Sequence, residues 1–419
     1  MMDIPKLYEL YKTHYLVTTD TRAIPTNSLF FALKGDKFNG NSFAAQALSL
    51  GARFAIIDEK AYQTDKRMIL VADALQTLQD LANYHRKQLQ LPIIGLTGSN
   101  GKTTTKELIH AVLQQKFKTV ATKGNLNNHI GVPLTLLSMT PDTALGIVEM
   151  GANHQQEIAF LSSICEPDFG YITNFGKAHL EGFGGVEGVI KGKSELFDFI
   201  RANHKMVFVN PSDAIQMTKT SDISRILFDM ESIQFVGMNP YLQLSLDGKN
   251  IQTQLMGDYN FPNIAAAITI GLYFGVPIAA ISKAIEGYVP QNNRSQIVKT
   301  THNTLILDAY NANPSSMKVA LENFAVLNES QKVVILGDMF ELGEDSAHEH
   351  QAIADLAASL NFESIFLVGK NFHGVSINHA TFSDFESLQA QLTKQPLHQK
   401  TILIKGSRGM KLERLLEFL

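Results

Sequence analysis

The sequence predicts an α/β protein built of three domains, and three observations carry that expectation. At 419 residues the chain exceeds what one hydrophobic core organises, and its length points to about three units. Short apolar runs alternate with helical patterns through two separate stretches, as parallel sheets joined by crossover helices require. Turn formers cluster at Leu91-Pro92 and at Val289-Pro290-Gln291-Asn292-Asn293, which divides the chain into 1–91, 92–297 and 298–419.

The first piece mixes short strands and helices and closes on the helical pattern DALQTLQDLANYHRKQLQ. The second alternates LPIIGLT, KTTTKELIHAVLQQK, GIVEMGA and YITNFG, which predicts a central parallel sheet. Residues 206–257 carry strands such as VFVN and LQLSL with no clear helix, so a small β insertion is expected there. The third piece repeats the alternation in TLILDAY, KVVILGDM, SIFLVG and TILIKGS around SMKVALENFAVL, a smaller Rossmann-like α/β unit.

Composition narrows the function. With 45% hydrophobic and 18% charged residues the chain reads as a soluble globular protein. A net charge of -4, from 36 basic and 40 acidic residues, disfavours nucleic acid and anionic membranes as partners. The single cysteine, Cys165, cannot form an intrachain disulfide, and MMDIPKLYELYKTHYL lacks the order of a signal peptide. No apolar run approaches ~18 residues, so no membrane insertion is expected and the cytoplasm is the plain reading.

The stretch GLTGSNGKTTTKELI, residues 95–109, resembles a phosphate-binding loop between a strand and a helix. Leu96 stands where the template G-x-x-x-x-G-K-[ST] has its first glycine. Gly98 and Gly101 still supply tight turns, Lys102 a cation and Thr103 a hydroxyl for Mg²⁺. Glu149 follows the strand of GIVEMGA, where a carboxylate can hold that metal or simply be solvated. His179, in YITNFGKAHLEGFGG, reads as a ligand or as a satisfied structural residue. Lys191 and Lys193 read first as a solvated helix face. Asn260 and Asn263 stand at a helix start, where Asn260 caps the helix or reads a purine edge. Arg294, in the interdomain NNRSQ, suits a phosphate or a carboxylate. DAYNANPSS, LGDMFELGE and KGSRG end strands of the last sheet and form a candidate substrate rim. His348 and His350 are two apart, on different helix faces, and do not form a metal pair.

Together these stretches resemble the Mur ligase family, and within it the branch that adds D-alanyl-D-alanine. The family loop T-G-[ST]-x-G-K-T-T is similar to Thr97, Gly98, Ser99, Asn100, Gly101, Lys102, Thr103 and Thr104, and it accounts for the offset glycine. GNLNNHIGVP, EMGANHQQEI, TNFGKAHLEGFG, KGKSELF, DAYNANPSS, GDMFELGE and KGSRGMKLE extend the resemblance, and DTRAIPTNSLFFALKG resembles the family's nucleotide-sugar-binding start.

The resemblance implies an ADP-forming ligase that activates the terminal carboxylate of UDP-N-acetylmuramoyl-tripeptide as an acyl phosphate and couples it to D-alanyl-D-alanine. Residues 1–91 would hold the UDP-sugar, 92–297 the ATP, and 298–419 the dipeptide. Lys102 and the loop would hold the ATP phosphates, with Asn260 facing adenine and Arg294 near the γ-phosphate. Two Mg²⁺ are implied, one on Thr103 and Glu149, the other on His179 and a carbamylated Lys193. Lys102, Glu149, His179 and Lys193 form the implied catalytic set. Substrate contacts fall on Asp20, Thr21, Arg22, Asn127, Asn128, Asp308, Tyr310, Asn311, Asn313, Ser315, Lys405 and Ser407. Tyr259 stands where the family usually has His. A monomer is implied. A sister ligase adding one amino acid, a folylpolyglutamate synthetase and a P-loop regulatory ATPase are the alternatives; DAYNANPSS argues against the first two.

Overall fold

The computed structural model describes residues 2–291 and 293–419; Met1 and Asn292, the latter one of the turn formers at the second boundary, lie outside the described residues. The N-terminal unit is a parallel sheet of Val17–Thr18, Leu29–Phe31, Phe54–Ile57 and Met68–Leu70, in that order. Helix Ala74–Leu89 follows. Asp73 caps its start by accepting the Gln76 N–H, and Gln90, left-handed at φ 51°, ends it before Pro92. This helix packs on Gly131–Leu136 and Glu157–Cys165 of the central domain, so the first boundary is a packed joint. His85 is buried in that joint among Tyr8, Tyr11 and Tyr15, with one ring nitrogen 2.9 Å from the Met139 carbonyl.

The central sheet is fully parallel, in the order Ser224–Leu227, Met206–Val209, Phe169–Ile172, Ile93–Thr97, Leu145–Glu149, Thr119–Ala121. Ile93 faces one core while Ile94 and Leu96 face another, as a strand covered on both sides requires. The chain leaves Ile93–Thr97 for one side of the sheet and later returns to its other side. The carboxyl end of this strand is therefore the switch point where such sheets collect ligands.

The expectation for 206–257 needs correction. Met206–Val209 and Ser224–Leu227 extend the parallel sheet, with helix Ala214–Lys219 between them, started by Asp213 accepting from Ile215 and Gln216 N–H. Only Ile233–Met238, Tyr241–Leu246 and Lys249–Met256 form a separate antiparallel insertion. The short helix was hidden because six residues, AIQMTK, are too few to show a helical period.

The C-terminal sheet runs Gln296–Lys299, Thr304–Asp308, Thr401–Lys405, Lys332–Gly337, Ser364–Val368, Ala380–Phe382, parallel except for its first edge strand. That edge strand straddles residue 297, so the third sheet starts at Gln296. Among the described residues no helix is long and apolar enough to cross a membrane.

Candidate active site

The loop after Ile93–Thr97 is shaped by what its glycines approach. At Gly98, φ +146°, an added Cβ would lie 2.0 Å from Thr173 Oγ1; at Gly101, φ +77°, it would lie 2.8 Å from Asn263 Oδ1. Gly98 is thus demanded by the neighbouring strand end, which explains why the glycine sits off the general template. That strand end also braces the loop. Ser99 N–H donates to the Asn174 carbonyl at 3.0 Å, Asn100 N–H to Asn174 Oδ1 at 3.1 Å, and Thr173 Oγ1 to the Asn100 carbonyl at 2.6 Å.

Helix Lys102–Leu113 begins at the loop, and Lys102 Nζ folds back onto the Gly98 and Ser99 carbonyls at 2.7 and 3.1 Å. Burial pulls its ammonium down to about 8, Glu149 opposes that and Arg294 adds to it. A phosphate would supply the missing counter-charge, so the loop is built for an anion.

Glu149 closes its strand at 1% exposure. Its Oε1 accepts from Thr103 Oγ1 at 3.3 Å and Asn127 Nδ2 at 2.8 Å. Its buried Oε2 has no hydrogen-bond partner among the described residues, and Lys106 Nζ stands 3.8 Å away. A carboxylate oxygen left free beside a hydroxyl suits one hard cation whose remaining ligands are phosphate and water oxygens.

His179 has φ 55° and bonds through Nδ1 to the Glu341 carboxylate, leaving Nε2 for a ligand. Lys193, on Val186–Ala202, is fully buried; its Nζ donates to the Ala152 carbonyl at 3.0 Å and lies 4.7 Å from the Phe183 ring centre. Burial, reinforced by the Lys102 charge, holds its amine well below the usual lysine range. The solvated-face reading therefore suits exposed Lys191 and fails for Lys193. Among the described residues no three His, Cys, Asp or Glu side chains gather as a metal site.

A cleft of about 960 Å³ joins the loop, Glu149 and His179, whereas Lys193, expected beside them, is buried behind the cleft and does not line it. One wall carries Asn100, Lys102, Thr103, Glu149 and His179, and the other Asp308, Tyr310, Asn311, Asn313 and Lys405 from the C-terminal strand ends. The arrangement places a nucleotide pocket on one domain and a polar rim on the next, facing across one space.

The comparisons match that architecture. Residues 13–86 match the Mur ligase family catalytic domain, 96–271 the Mur ligase middle domain, and 293–408 the Mur ligase glutamate ligase domain. The chain belongs to the Mur ligase family. It is 32% identical to the UDP-N-acetylmuramoyl-tripeptide--D-alanyl-D-alanine ligase of Bacillus subtilis, over 96% of this chain and 92% of that one. It is 33% identical to the enzyme of the same name from Escherichia coli, over 96% and 93%. A crystal structure of MurF from Acinetobacter baumannii superposes with a TM-score of 0.83 at 32% identity, over 96% and 92%.

In this Mur ligase the remaining expected residues divide by what their side chains do. Ser99, Gly101 and Thr104 line the cleft, whereas Thr97 is buried beneath it. Asn260 makes no side-chain cap: its Nδ2 donates to the Met256 carbonyl at 2.7 Å and its Oδ1 accepts from Asn263 at 3.0 Å, although it still lines the cleft. The capping expectation fails because Asn263 competes for the same oxygen. Tyr259 shares a 2.7 Å hydrogen bond with Ser295 Oγ. Arg294 stacks on Tyr310, Cζ 3.8 Å from the ring centre, with its buried Nε unpartnered among the described residues.

Several residues expected at substrate are committed to the protein. Asn127 serves Glu149, and Asn128 Oδ1 accepts from the N–H groups of Ile130 and Gly131 at 3.1 and 2.9 Å. Asn311 Oδ1 accepts the Ala312 N–H at 2.9 Å. Asn313 caps helix Pro314–Ala325 and reaches Asn100 Oδ1 at 2.7 Å, while Ser315 Oγ accepts the Lys177 N–H at 2.9 Å. Asp308 pairs with buried Lys405. Ser407 Oγ holds the Phe340 N–H at 3.0 Å beside a smaller cavity of about 160 Å³ that it lines with Glu341 and Arg408. Asp20, Thr21 and Arg22 lie off the cleft, Arg22 forked onto Asp20 in solvent. His350 is buried, accepting the Met339 N–H and donating to the Ser346 carbonyl, a structural role. Sequence reasoning missed Asn174, Lys106 and Glu341. All three lie within quoted motifs, but their roles come from partners distant in sequence.

Proposed function

We propose that this chain is an ADP-forming ligase that joins D-alanyl-D-alanine to the terminal carboxylate of UDP-N-acetylmuramoyl-tripeptide in peptidoglycan synthesis. The observation that carries the reading is the single cleft with a phosphate loop on one wall and C-terminal strand ends on the other. The curated relatives bearing that name, matched over nine-tenths of both chains, supply the substrates.

The chemistry follows from the wall. A carboxylate is a poor acyl donor, and transfer of the ATP γ-phosphoryl to it gives an acyl phosphate with a good leaving group. Lys102 and the loop N–H groups would hold the β and γ phosphates, Arg294 would use its unpartnered Nε on the transferring group, and Asn260 would face the adenine. The amine then attacks the acyl carbon, phosphate leaves, and an amide remains. Apposition of the two walls holds the reactants together and excludes water, which would hydrolyse the acyl phosphate.

Thr103 and the free oxygen of Glu149 would hold one Mg²⁺, and His179 Nε2 with a carbamate on Lys193 a second. Mg²⁺ there neutralises charge on the phosphoryl oxygens. The support for the carbamate is the buried, charge-depleted Lys193 amine, which suits attack on CO₂ and would become the anionic ligand the site lacks. We assign 1–91 to the UDP-sugar, 92–297 to ATP and 298–419 to the dipeptide, in a cytoplasmic monomer. ADP release should require UDP-N-acetylmuramoyl-tripeptide and D-alanyl-D-alanine together; equal turnover with either omitted refutes the assignment.

A further inference from the structure

The segment that braces the phosphate loop also grips the C-terminal domain. Asn174 and Gly176 hold Ser99, through its N–H at 3.0 Å and its Oγ at 2.9 Å. The next residue, Lys177, crosses the domain boundary twice. Its N–H donates to Ser315 Oγ at 2.9 Å, and its Nζ pairs with Glu349 Oε1 at 2.6 Å. Asn313 Nδ2 reaches Asn100 Oδ1, at 2.7 Å, within the phosphate loop itself. Three polar bonds thus join one short central segment and the loop to the C-terminal helices Pro314–Ala325 and Ser346–Ser359.

The pair at Lys177 is asymmetric. The Lys177 side chain keeps 46% exposure whereas that of Glu349 keeps 9%. In the joined arrangement the carboxylate is therefore far more enclosed than the ammonium. Without Lys177, that carboxylate would be enclosed with no counter-charge, and the open arrangement would be favoured. Asn313 is held by the capping box at its own helix start and Ser315 stands in the first turn of that helix, so they add geometry while the ion pair adds the charge dependence.

We propose that Lys177 and Glu349 are positioning residues that clasp the C-terminal domain over the phosphate loop, setting the amine's approach to the activated carboxylate. Because Lys177 follows the residues that brace Ser99, the clasp forms best when the loop holds the shape that Asn174 and Gly176 impose. Closure is thereby tied to the state of the nucleotide loop. The activity consequence rests on the ligase reading; the conformational consequence does not.

Lys177→Glu, Glu349→Lys and the double charge swap test the pair, with Lys177→Met as the arm that leaves the nearly buried Glu349 untouched and with thermal melting to confirm folding. Solution X-ray scattering with bound ATP analogue reads closure without any amine substrate. Each single reversal should expand the particle and raise KM for D-alanyl-D-alanine by about tenfold, the scale of a charged hydrogen bond, with KM for ATP little changed. The double swap should recover both. Folded single variants with wild-type scattering overturn the clasp, as does a folded double variant that recovers neither readout. If wild type makes no amide with this dipeptide, the ligase assignment fails while the scattering result still decides the clasp.

Discussion

Removing the Lys193 side chain tests the most demanding part of the proposed chemistry. Its Nζ has one hydrogen bond, to the Ala152 carbonyl at 3.0 Å, and no carboxylate within ion-pairing distance among the described residues. An ammonium there would be buried without a counter-ion. The amine is therefore neutral over a wider range than an ordinary lysine, and acidification, by protonating it, would prevent carbamate formation. Loss of outer-sphere partners alone typically weakens metal binding by about 10–100-fold, so losing a direct anionic ligand should cost at least about 100-fold in kcat, or roughly 2.7 kcal/mol. Lys193→Ala should show that loss in an ADP-release assay, with part of the rate restored by formate or acetate, which can enter the vacated space. Lys193→Met fills the space, so it should be inactive without rescue and more heat-stable than wild type, because it removes a buried ionisable group. Wild type stripped of bicarbonate should lose rate and regain it when bicarbonate returns. Undiminished activity in Lys193→Ala would refute the carbamate, and so would rescue by chloride as effective as rescue by carboxylates.

Three further outcomes follow from local geometry. Gly98→Ala should abolish nucleotide binding by calorimetry, since its Cβ would stand 2.0 Å from Thr173 Oγ1 in a backbone conformation alanine rarely adopts; retained ATP affinity would contradict the loop's role. Asp168→Ala should lower stability by about 2–3 kcal/mol in thermal melts while leaving KM for ATP unchanged, because Asp168 holds Arg86 at 2.6 Å and the Ile93 N–H at 3.0 Å in the joint behind the sheet. His85 sits below its ordinary value of 6.5 because burial disfavours the imidazolium, so below that pH the unfolded chain binds a proton the native one does not. Its contribution is present above about 6.5 and lost as pH falls, and His85→Gln should flatten the decline of melting temperature between neutral and mildly acidic pH.

Residues whose role is set by near neighbours in sequence were legible, and those set by distant partners were not. The loop, the strand that feeds it and Glu149 at the next strand end all announce themselves within a few positions. The burial of Lys193 had a signal that the solvated-face reading passed over: it is spaced three, four and seven from Leu196, Phe197 and Ile200, all buried, whereas Lys191 faces out. By contrast, His179 meets Glu341 across 162 residues and Asn100 meets Asn313 across 213, separations at which pattern carries no information. The same limit explains the substrate rim. Asn127, Asn128 and Asn313, expected at substrate from the family resemblance, do line the cleft, and each also holds the protein: Asn127 donates to Glu149, Asn128 Oδ1 accepts from a turn and Asn313 reaches across to the phosphate loop.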